Sequence, residues 1–480
     1  MYSFLGAILF LLLGYALYAR YLARLFGADP ARVTPAVASA DGVDFIVMPP
    51  WKVFLIQLLN IAGLGPIFGA LQGALFGPVA FLWIALGSVF AGAVHDYLGG
   101  MISLRQNGAS LSEIQGRFLG LGMQRAMRFF TLLMMVLVGV VFVTGPAKLL
   151  ASLTPATLDT TFWVVVIFLY YFLATVLPID MLIGRLYPVF GVALMVMALG
   201  VGGALLLKGY RIPEISLANL HPQKLPIFPM LFITIACGAI SGFHATQSPL
   251  MARCMANERL GRPIFYGAMI AEGVIALVWA AAGMAFYRGI PGLDQALAAS
   301  GPGGAVHTIT TTLLGTTGGV LAMLGVIACP ITSGDTAFRS ARLILADALG
   351  IAQGPISRRL LLALPLFAAG TALTFVNFEV IWRYFAWANQ TLAAVTLWAL
   401  AVFLARSGRN HWVATLPALL MSAVCLAYIL QAPGGLGLGP RLSNSLAVGW
   451  AAVLMMGFLG RKRSGWGPET GGRDGLGSPS

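Results

Sequence analysis

Apolar residues run along this chain in blocks of about twenty, the length at which a helix crosses a bilayer, and arginines gather in the short polar connectors between them. The blocks predict helices near 3–19, 51–75, 78–104, 127–149, 161–179, 185–207, 229–252, 264–287, 308–338, 358–377, 380–404, 411–430 and 444–460. Two of these, the second and the seventh, break the pattern in mid-span. In WKVFLIQLLNIAGLGPIFGALQG (51–73), Gly63, Gly65 and Pro66 interrupt the run, with Gln57 and Asn60 just ahead. In the seventh, Gly238, Ser241, Gly242 and His244 fall where the bilayer centre should be. Ser248-Pro249 then reads as a helix restart, a side-chain cap followed by proline at the first position.

Each stretch predicts two half-helices around an unwound turn. Free backbone groups at membrane depth are tolerated only against protein or a water-lined cavity, so the turns should face a site. The plainer reading of either stretch alone is a glycine kink packed on its neighbours. The broken helices stand five apart, however, so helices two to six and seven to eleven form two five-helix units, and the odd number forces opposite orientation. The predicted fold class is an all-α polytopic membrane protein of about thirteen helices with a 5+5 inverted-repeat, LeuT-like core. The expected divisions are an extra helix and loop over 1–50, the repeats over 51–207 and 208–405, two extra helices over 406–460 and a disordered basic tail over 461–480.

Composition removes the soluble classes. The chain is 59% hydrophobic and 9% charged, with a mean hydropathy of +0.88, which suits a lipid bilayer and no soluble domain. Its net charge of +13 does not argue for nucleic acid. With the N-terminus outside, most Lys and Arg fall in inward connectors, such as Arg105, Arg117, Arg125 and Arg128, then Arg253, Arg259 and Arg262, then Arg339, Arg342, Arg358 and Arg359. That is the signature of topology, and it puts the C-terminus inside a prokaryotic cytoplasmic membrane. The first apolar run, Phe4 to Ala19, has no basic residue ahead of it and reads as a retained helix rather than a signal peptide. Cys237, Cys254, Cys329 and Cys425 lack metal-type spacing, so neither a metal nor a cofactor is expected.

Several motifs carry a resemblance. GAVHDY (92–97), CGAISGFHATQSP (237–249), RPIFYGAMIAEG (262–273) and WANQ (387–390), extended by DGVDF (41–45) and IAGLGP (61–66), resemble the carbon-starvation protein A family. The resemblance implies a secondary transporter of the amino-acid, polyamine and organocation superfamily, linked to peptide uptake in carbon starvation and in some members to proton-coupled pyruvate uptake. Many members are considerably longer. Where many carry a His-His pair ahead of the glycine break, this chain has Ile56-Gln57, so no role of that pair carries over.

The polar residues inside the spans are the candidate chemistry. His95-Asp96 and Glu272 read as proton-coupling groups, since ionisable side chains are expensive at membrane depth; the alternatives are a structural pair closed by Arg105 and an inner gate at Glu272. His244 could take up a proton or donate to a substrate carboxylate, helped by the dipole of the nearby half-helix N-terminus. Gln57, Asn60, Gly63, Gly65, Ser241, Gly242, Thr246, Gln247, Asn389 and Gln390 are candidate substrate contacts, with packing between helices as the plain reading. Ser333, Asp335 and Thr336 offer hard oxygens for Na⁺, or else a capped restart with Asp335 pairing Arg339.

No phosphate-binding loop, His-Glu-x-x-His or Gly-x-Ser-x-Gly occurs, so neither ATP hydrolysis nor the common hydrolase chemistries are expected. The reading is a non-enzymatic carrier importing a pyruvate-like monocarboxylate or short peptide with H⁺ or Na⁺. Its rivals are an uncoupled channel or uniporter, an intramembrane metal-dependent enzyme using His95, Asp96 and His244, and a transceptor.

Overall fold

The computed structural model describes residues 1–464 except 177, 178, 377 and 433, and among the described residues there is helix and no strand. The expected tail over 461–480 is thus described only to 464; its remainder lies outside the described residues. In chain order the helices are α1 (Tyr2–Phe26), the bent pair α2 (Pro50–Ala62) and α3 (Gly65–Phe76), and α4 (Val79–Arg105). There follow α5 (Leu111–Leu119), α6 (Leu121–Leu153), α7 (Thr160–Val176) and α8 (Ile179–Leu207). The second set is a stub over 227–234 (α9), then α10 (Gly242–Ala252), α11 (Glu258–Phe286), α12 (Ile290–Leu349), α13 (Ile356–Leu373) and α14 (Phe378–Arg406). Two helices close the chain, α15 (Trp412–Gln431) and α16 (Pro440–Arg463).

Nine of these are long and apolar enough to cross a membrane unbroken, and two bent pairs qualify as further spans. The shorter α7 and the broken α9–α10 complete the expected set. Each five-span unit opens with its broken helix, α2–α3 in one and α9–α10 in the other, which is the inverted-repeat core. The ninth span departs from expectation. In place of a helix over 308–338 there is a helical stretch from Ile290 to Leu349, turned by Gly301 (φ +65°) and Gly315 (φ +70°). Its second part, Met323–Leu349, is bent 68° from the first. Glycine reaches positive φ without a Cβ penalty, which lets the path turn at Gly301 and Gly315, whereas the 68° bend falls between Val320 and Met323.

Two apolar cores fill the interior. One gathers α1, α2, α4, α11, α14 and α15 around residues such as Trp279, Tyr266 and Leu59; the other gathers α6, α7, α12 and α13, where Phe338 stacks on Phe367 at 4.4 Å between ring centres. The broken helices lie between them, with Leu64 and Phe243 packing into the second core and Ile235 and Ala239 into the first.

The two faces can be told apart by contacts. The Met1 ammonium donates to the Ile212 carbonyl at 2.7 Å, so the N-terminus shares a face with the 208–226 loop. On the opposite face, Arg409 donates to the Phe26 carbonyl and the segment 27–49 lies under the helix ends.

Candidate functional site: two unwound turns, a buried charge cluster and an open cavity

The breaks form where sequence placed them, and they touch. Gly63 sits at φ +43°, and a Cβ on Gly65 would lie 2.2 Å from the Cys237 Cβ, so only glycine lets the two turns meet. Unwinding frees backbone groups, and side chains from other helices answer them. Trp83 Nε1 donates to the Ile235 carbonyl at 2.9 Å, Ser88 Oγ to Gly238 at 3.0 Å and Gln390 Nε2 to Ile240 at 3.0 Å. Across the other break, Ser333 Oγ donates to the Leu59 carbonyl at 3.1 Å. Side chains of the protein therefore satisfy these four carbonyls of the irregular backbone at this depth.

The restart of the seventh span differs from expectation. The helix resumes at Gly242, not at Ser248-Pro249, which lie inside α10. The reason is a cap from another helix: Asn389 Oδ1 accepts the Phe243 N–H at 2.7 Å and the Ser241 hydroxyl at 3.1 Å. The half-helix N-terminus is thus already capped at Phe243, and Ser248 Oγ turns back to the His244 carbonyl at 3.1 Å.

Behind this turn lies a fully buried charge cluster. Asp96 receives His95 Nδ1 at 2.8 Å on one oxygen and His244 Nδ1 at 3.0 Å on the other. His244 Nε2 faces Glu272 at 3.5 Å. Asp96 thereby anchors the imidazole so that its free nitrogen points at a second carboxylate. Neither Glu272 oxygen, nor His244 Nε2, nor His95 Nε2 has a hydrogen-bond partner within the protein. Arg105 does not close the His95-Asp96 pair; it forms a bidentate contact with Glu258, at 2.9 Å on each oxygen. Among the described residues no arginine holds Glu272 as a gate either. Cys237 Sγ, His244 and Glu272 present ligand atoms within 4.8 Å of one another, a donor set that could hold a transition metal.

The open space is elsewhere. A cavity of about 830 Å³ opens toward the N-terminal face, past Leu225, Ser300 and Met230, and descends to Gly65, Cys237 and Asn389. Of the sequence candidates, only Gly65 and Asn389 line it. Gln57, Asn60, His244, Thr246, Gln247 and Gln390 are buried away from its wall. Gln57 reaches Ser248 at 3.4 Å, Thr246 and Gln390 bond backbone carbonyls, and both polar atoms of Asn60 lack a partner. The three oxygens proposed for Na⁺ also part company. Ser333 turns to α2, Thr336 Oγ1 donates to the Thr332 and Ser333 carbonyls, and Asp335 Oδ2 accepts from the hydroxyls of Tyr170 and Tyr187. Neighbouring helical residues point about 100° apart, so adjacency in sequence did not make them one site. Arg339, expected on Asp335, pairs with Asp44 instead.

Sequence reasoning missed the residues that seal the opposite face. Asp41 Oδ1 accepts three successive backbone N–H groups, from Val43, Asp44 and Phe45, and the turn presents Asp44 to Arg339 at 3.0 Å and Arg342 at 3.7 Å. Burial pushes the Asp44 carboxyl up, but the guanidiniums of Arg339, Arg342 and Arg253 outweigh it and leave the group below the ordinary carboxylate range. Glu258 adds a second buried link, to Arg105 and, at 3.6 Å, to Arg32. The DGVDF motif held that signal.

Comparison with known proteins agrees with this architecture. The family model described as Carbon starvation protein CstA matches residues 1–158, 143–290 and 292–428. A membrane protein of Haemophilus influenzae is 42% identical over 341 residues, covering 60% of this chain and 92% of that protein. The peptide transporter CstA of Escherichia coli is 24% identical over 85% of this chain and 77% of that protein. The pyruvate/proton symporter BtsT of E. coli is 28% identical over 56% of this chain, and the match spans about half of BtsT, 46%. Among solved structures, MhsT in complex with L-phenylalanine superimposes with a TM-score of 0.56 at 14% identity, covering 86% of this chain and 98% of that one. An Eremococcus coleocola manganese transporter gives 0.54 at 15% identity, covering 88% and 98%. These likenesses show the fold, a LeuT-like one.

Proposed function

Because the chain belongs to the carbon starvation protein CstA family, we propose that it is a secondary transporter that imports a small organic nutrient by proton-coupled alternating access. The named relatives set the substrate classes, a pyruvate-like monocarboxylate or a short peptide. The N-terminal face is outside and the C-terminus inside a prokaryotic cytoplasmic membrane, as the crowding of Lys and Arg on the other face argues. In this orientation the cavity receives solute from outside while the Asp44 and Glu258 networks close the inner side. The repeats over 51–207 and 208–405 then move against one another about the paired breaks.

The observation that carries the proton is His244 held between Asp96 and Glu272 directly behind the turn that floors the cavity. Two carboxylates stripped of water repel, and a proton taken up between them lowers the charge that must be buried as the site closes. Cys237 joins the two spaces, lining the cavity while its sulfur stands within reach of His244 and Glu272. Loss of the proton to the cytoplasm restores the repulsion and resets the carrier. Sodium is the second reading, because the Ser333 hydroxyl and Leu59 carbonyl, one from each repeat, meet at the break.

Uptake of labelled pyruvate and of labelled dialanine into proteoliposomes, under a pH gradient, a sodium gradient or neither, tests this. Accumulation driven by outside acid alone, collapsed by a protonophore and reduced to downhill exchange in Glu272→Gln, is the expected result. Uptake that ignores both gradients makes the protein a uniporter, and uptake driven only by sodium moves the coupling to Ser333.

A further inference from the structure

Behind the cavity floor, side chains from separate elements aim at one buried point. Cys237 sits on the unwound turn, His244 in the first turn of α10 and Glu272 on α11, while Asp96 on α4 stands behind His244. Hydrogen bonding fixes which histidine atom is free. An ionised Asp96 only accepts, so in the neutral imidazole Nδ1 carries the proton donated to it at 3.0 Å and Nε2 keeps a lone pair. That lone pair faces a Glu272 oxygen at 3.5 Å, and neither Nε2 nor either Glu272 oxygen has a hydrogen-bond partner. Two bare acceptors repel in a dry site, but two ligands of one tetrahedral ion, each about 2.0 Å from it, stand about 3.3 Å apart. Cys237 Sγ completes the triangle, with all three ligand atoms within 4.8 Å of one another; a filled site brings sulfur to about 3.5 Å from its neighbours, so a side-chain shift of about 1 Å closes it. Sulfur with imidazole nitrogen and one carboxylate oxygen suits zinc-like ions and disfavours the hard ions Na⁺, Mg²⁺ and Ca²⁺. Asp96 on Nδ1–H supplies the outer carboxylate that orients a metal-ligating imidazole and raises its basicity. The spacing of the cysteines gave no sign of this, because only one of them takes part.

We propose that Cys237, His244 and Glu272 form a binding site for a thiophilic divalent ion of the zinc type, with Asp96 as its positioning residue, and that an ion bound there arrests the carrier. Of the three ligands Cys237 alone lines the cavity, where it is 5% exposed, so the ion enters past its sulfur. On binding, the thiol that donates to Ser241 Oγ at 3.6 Å gives up its proton to the water of the cavity, and bonds form from the sulfur, from Nε2 and from a Glu272 oxygen. A dication then matches the thiolate and the carboxylate together, which a single proton does not. The bound ion ties the unwound turn to α10 and α11 and takes the nitrogen that faces Glu272. The arrest rests on the transporter reading; the binding does not.

The test is titration of the full chain in nanodiscs with Cd²⁺, read by calorimetry and by the ultraviolet charge-transfer band of a thiolate bound to the metal. A single Cd²⁺ per chain should bind, displaced by Zn²⁺ and unmoved by excess Mg²⁺. Cys237→Ser should abolish the band with the melting temperature retained. Asp96→Asn should keep the band and weaken binding by about tenfold, the low end for loss of an outer carboxylate, and Glu272→Gln, which removes a ligand, should weaken it by more. If Cys237→Ser fails to fold, the Glu272 variant decides. A band that survives Cys237→Ser, or an affinity unmoved in Glu272→Gln, overturns the site. In proteoliposomes under a pH gradient, Cd²⁺ added outside should stop uptake by the parent and a chelator should restore it. In Cys237→Ser the rate with Cd²⁺ should equal the rate without, whatever that rate is. Uptake untouched by bound Cd²⁺ overturns the arrest. If no solute is taken up under any gradient, the transporter reading fails, and the Cd²⁺ titration still decides the site.

Discussion

The two ends of the paired breaks meet opposite chemistry. Toward the N-terminal face the turns open onto a cavity whose two charged lining residues, Lys148 and Arg383, are both cations. Toward the other face the same helices end on buried carboxylates, each shared by two arginines: Asp44 with Arg339 and Arg342, and Glu258 with Arg105 and Arg32. An opening lined by like charge does not close on itself, whereas paired charges seal a face and come apart only when a competing state pays their separation. In the orientation proposed above the protein is poised outward, and closure of the face beneath Asp44 and Glu258 is electrostatic rather than a matter of helix packing alone.

Asp44→Asn should break this contrast most. Removing that carboxylate strips Arg339 and Arg342 of the charge they share, a loss of about 3–5 kcal/mol. The molecule carries its own reporters, since all four cysteines are free, Cys237 lines the cavity and Cys254 lies behind the segment 27–49, where its carbonyl accepts the Met48 N–H at 3.1 Å. Burial pushes the Cys254 thiol up to about 12, which keeps it unreactive while the segment 27–49 is in place. In single-cysteine backgrounds, a membrane-impermeant maleimide should label Cys237 from outside only slowly in the parent, since that thiol is itself buried at the cavity floor. In Asp44→Asn it should label Cys254 from inside and Cys237 less. Unchanged labelling would mean that the ion network does not hold the inner face shut.

Gly65→Val comes next. Its side chain would meet Cys237 where even a Cβ stands 2.2 Å away, and overpacking of this kind costs about 1–3 kcal/mol. The turns should part and uptake should stop, while Asp44 still shields Cys254. That outcome separates the floor of the cavity from the lock beneath it. Labelling of Cys254 in this variant would show the two to be one mechanical unit.

How far the sequence already spoke differs between these regions. The glycines of both breaks were legible because nothing else releases a helix in mid-span, and His95, Asp96, His244 and Glu272 stood out as ionisable groups in apolar surroundings. Their convergence was not legible, because it depends on α4, α10 and α11 packing together. The restart was misjudged at Ser248 for a similar reason: local rules see a serine and a proline, but the cap, Asn389, comes from 146 residues away. Asp44 was hidden by its setting in a polar loop, and Arg339 and Arg342 by their resemblance to ordinary topology markers. Ser333, Asp335 and Thr336 erred in the other direction, since neighbours in sequence were grouped that a helix aims at different partners.

Gln390→Leu should produce a smaller effect on the open side. It removes the donor to the Ile240 carbonyl and leaves that group buried without it, for about 1 kcal/mol at the lower end of such penalties. The expected result is a modest fall in melting temperature with labelling of Cys237 intact, and a shift of labelling to Cys254 would instead tie the turn to the inner lock.

The smallest expected change is none at all, and it sharpens the contrast most cheaply. Asp44 is held below the ordinary carboxylate range, so the stability it lends is fully present above its unfolded value of about 3.9 and is lost only as pH falls through the lower folded value. Between pH 8 and pH 5 the inner lock should therefore stay shut on its own account, and Cys254 in the solute-free protein should label equally slowly across that range once the reagent's own pH dependence is subtracted. A proton that drives transport must then act at the His244 cluster and not at the lock. Faster labelling of Cys254 at pH 5 in a Glu272→Gln background, where the cluster has lost one of its acids, would place a second acid-sensitive element in the inner face and dissolve the division of labour between the two regions.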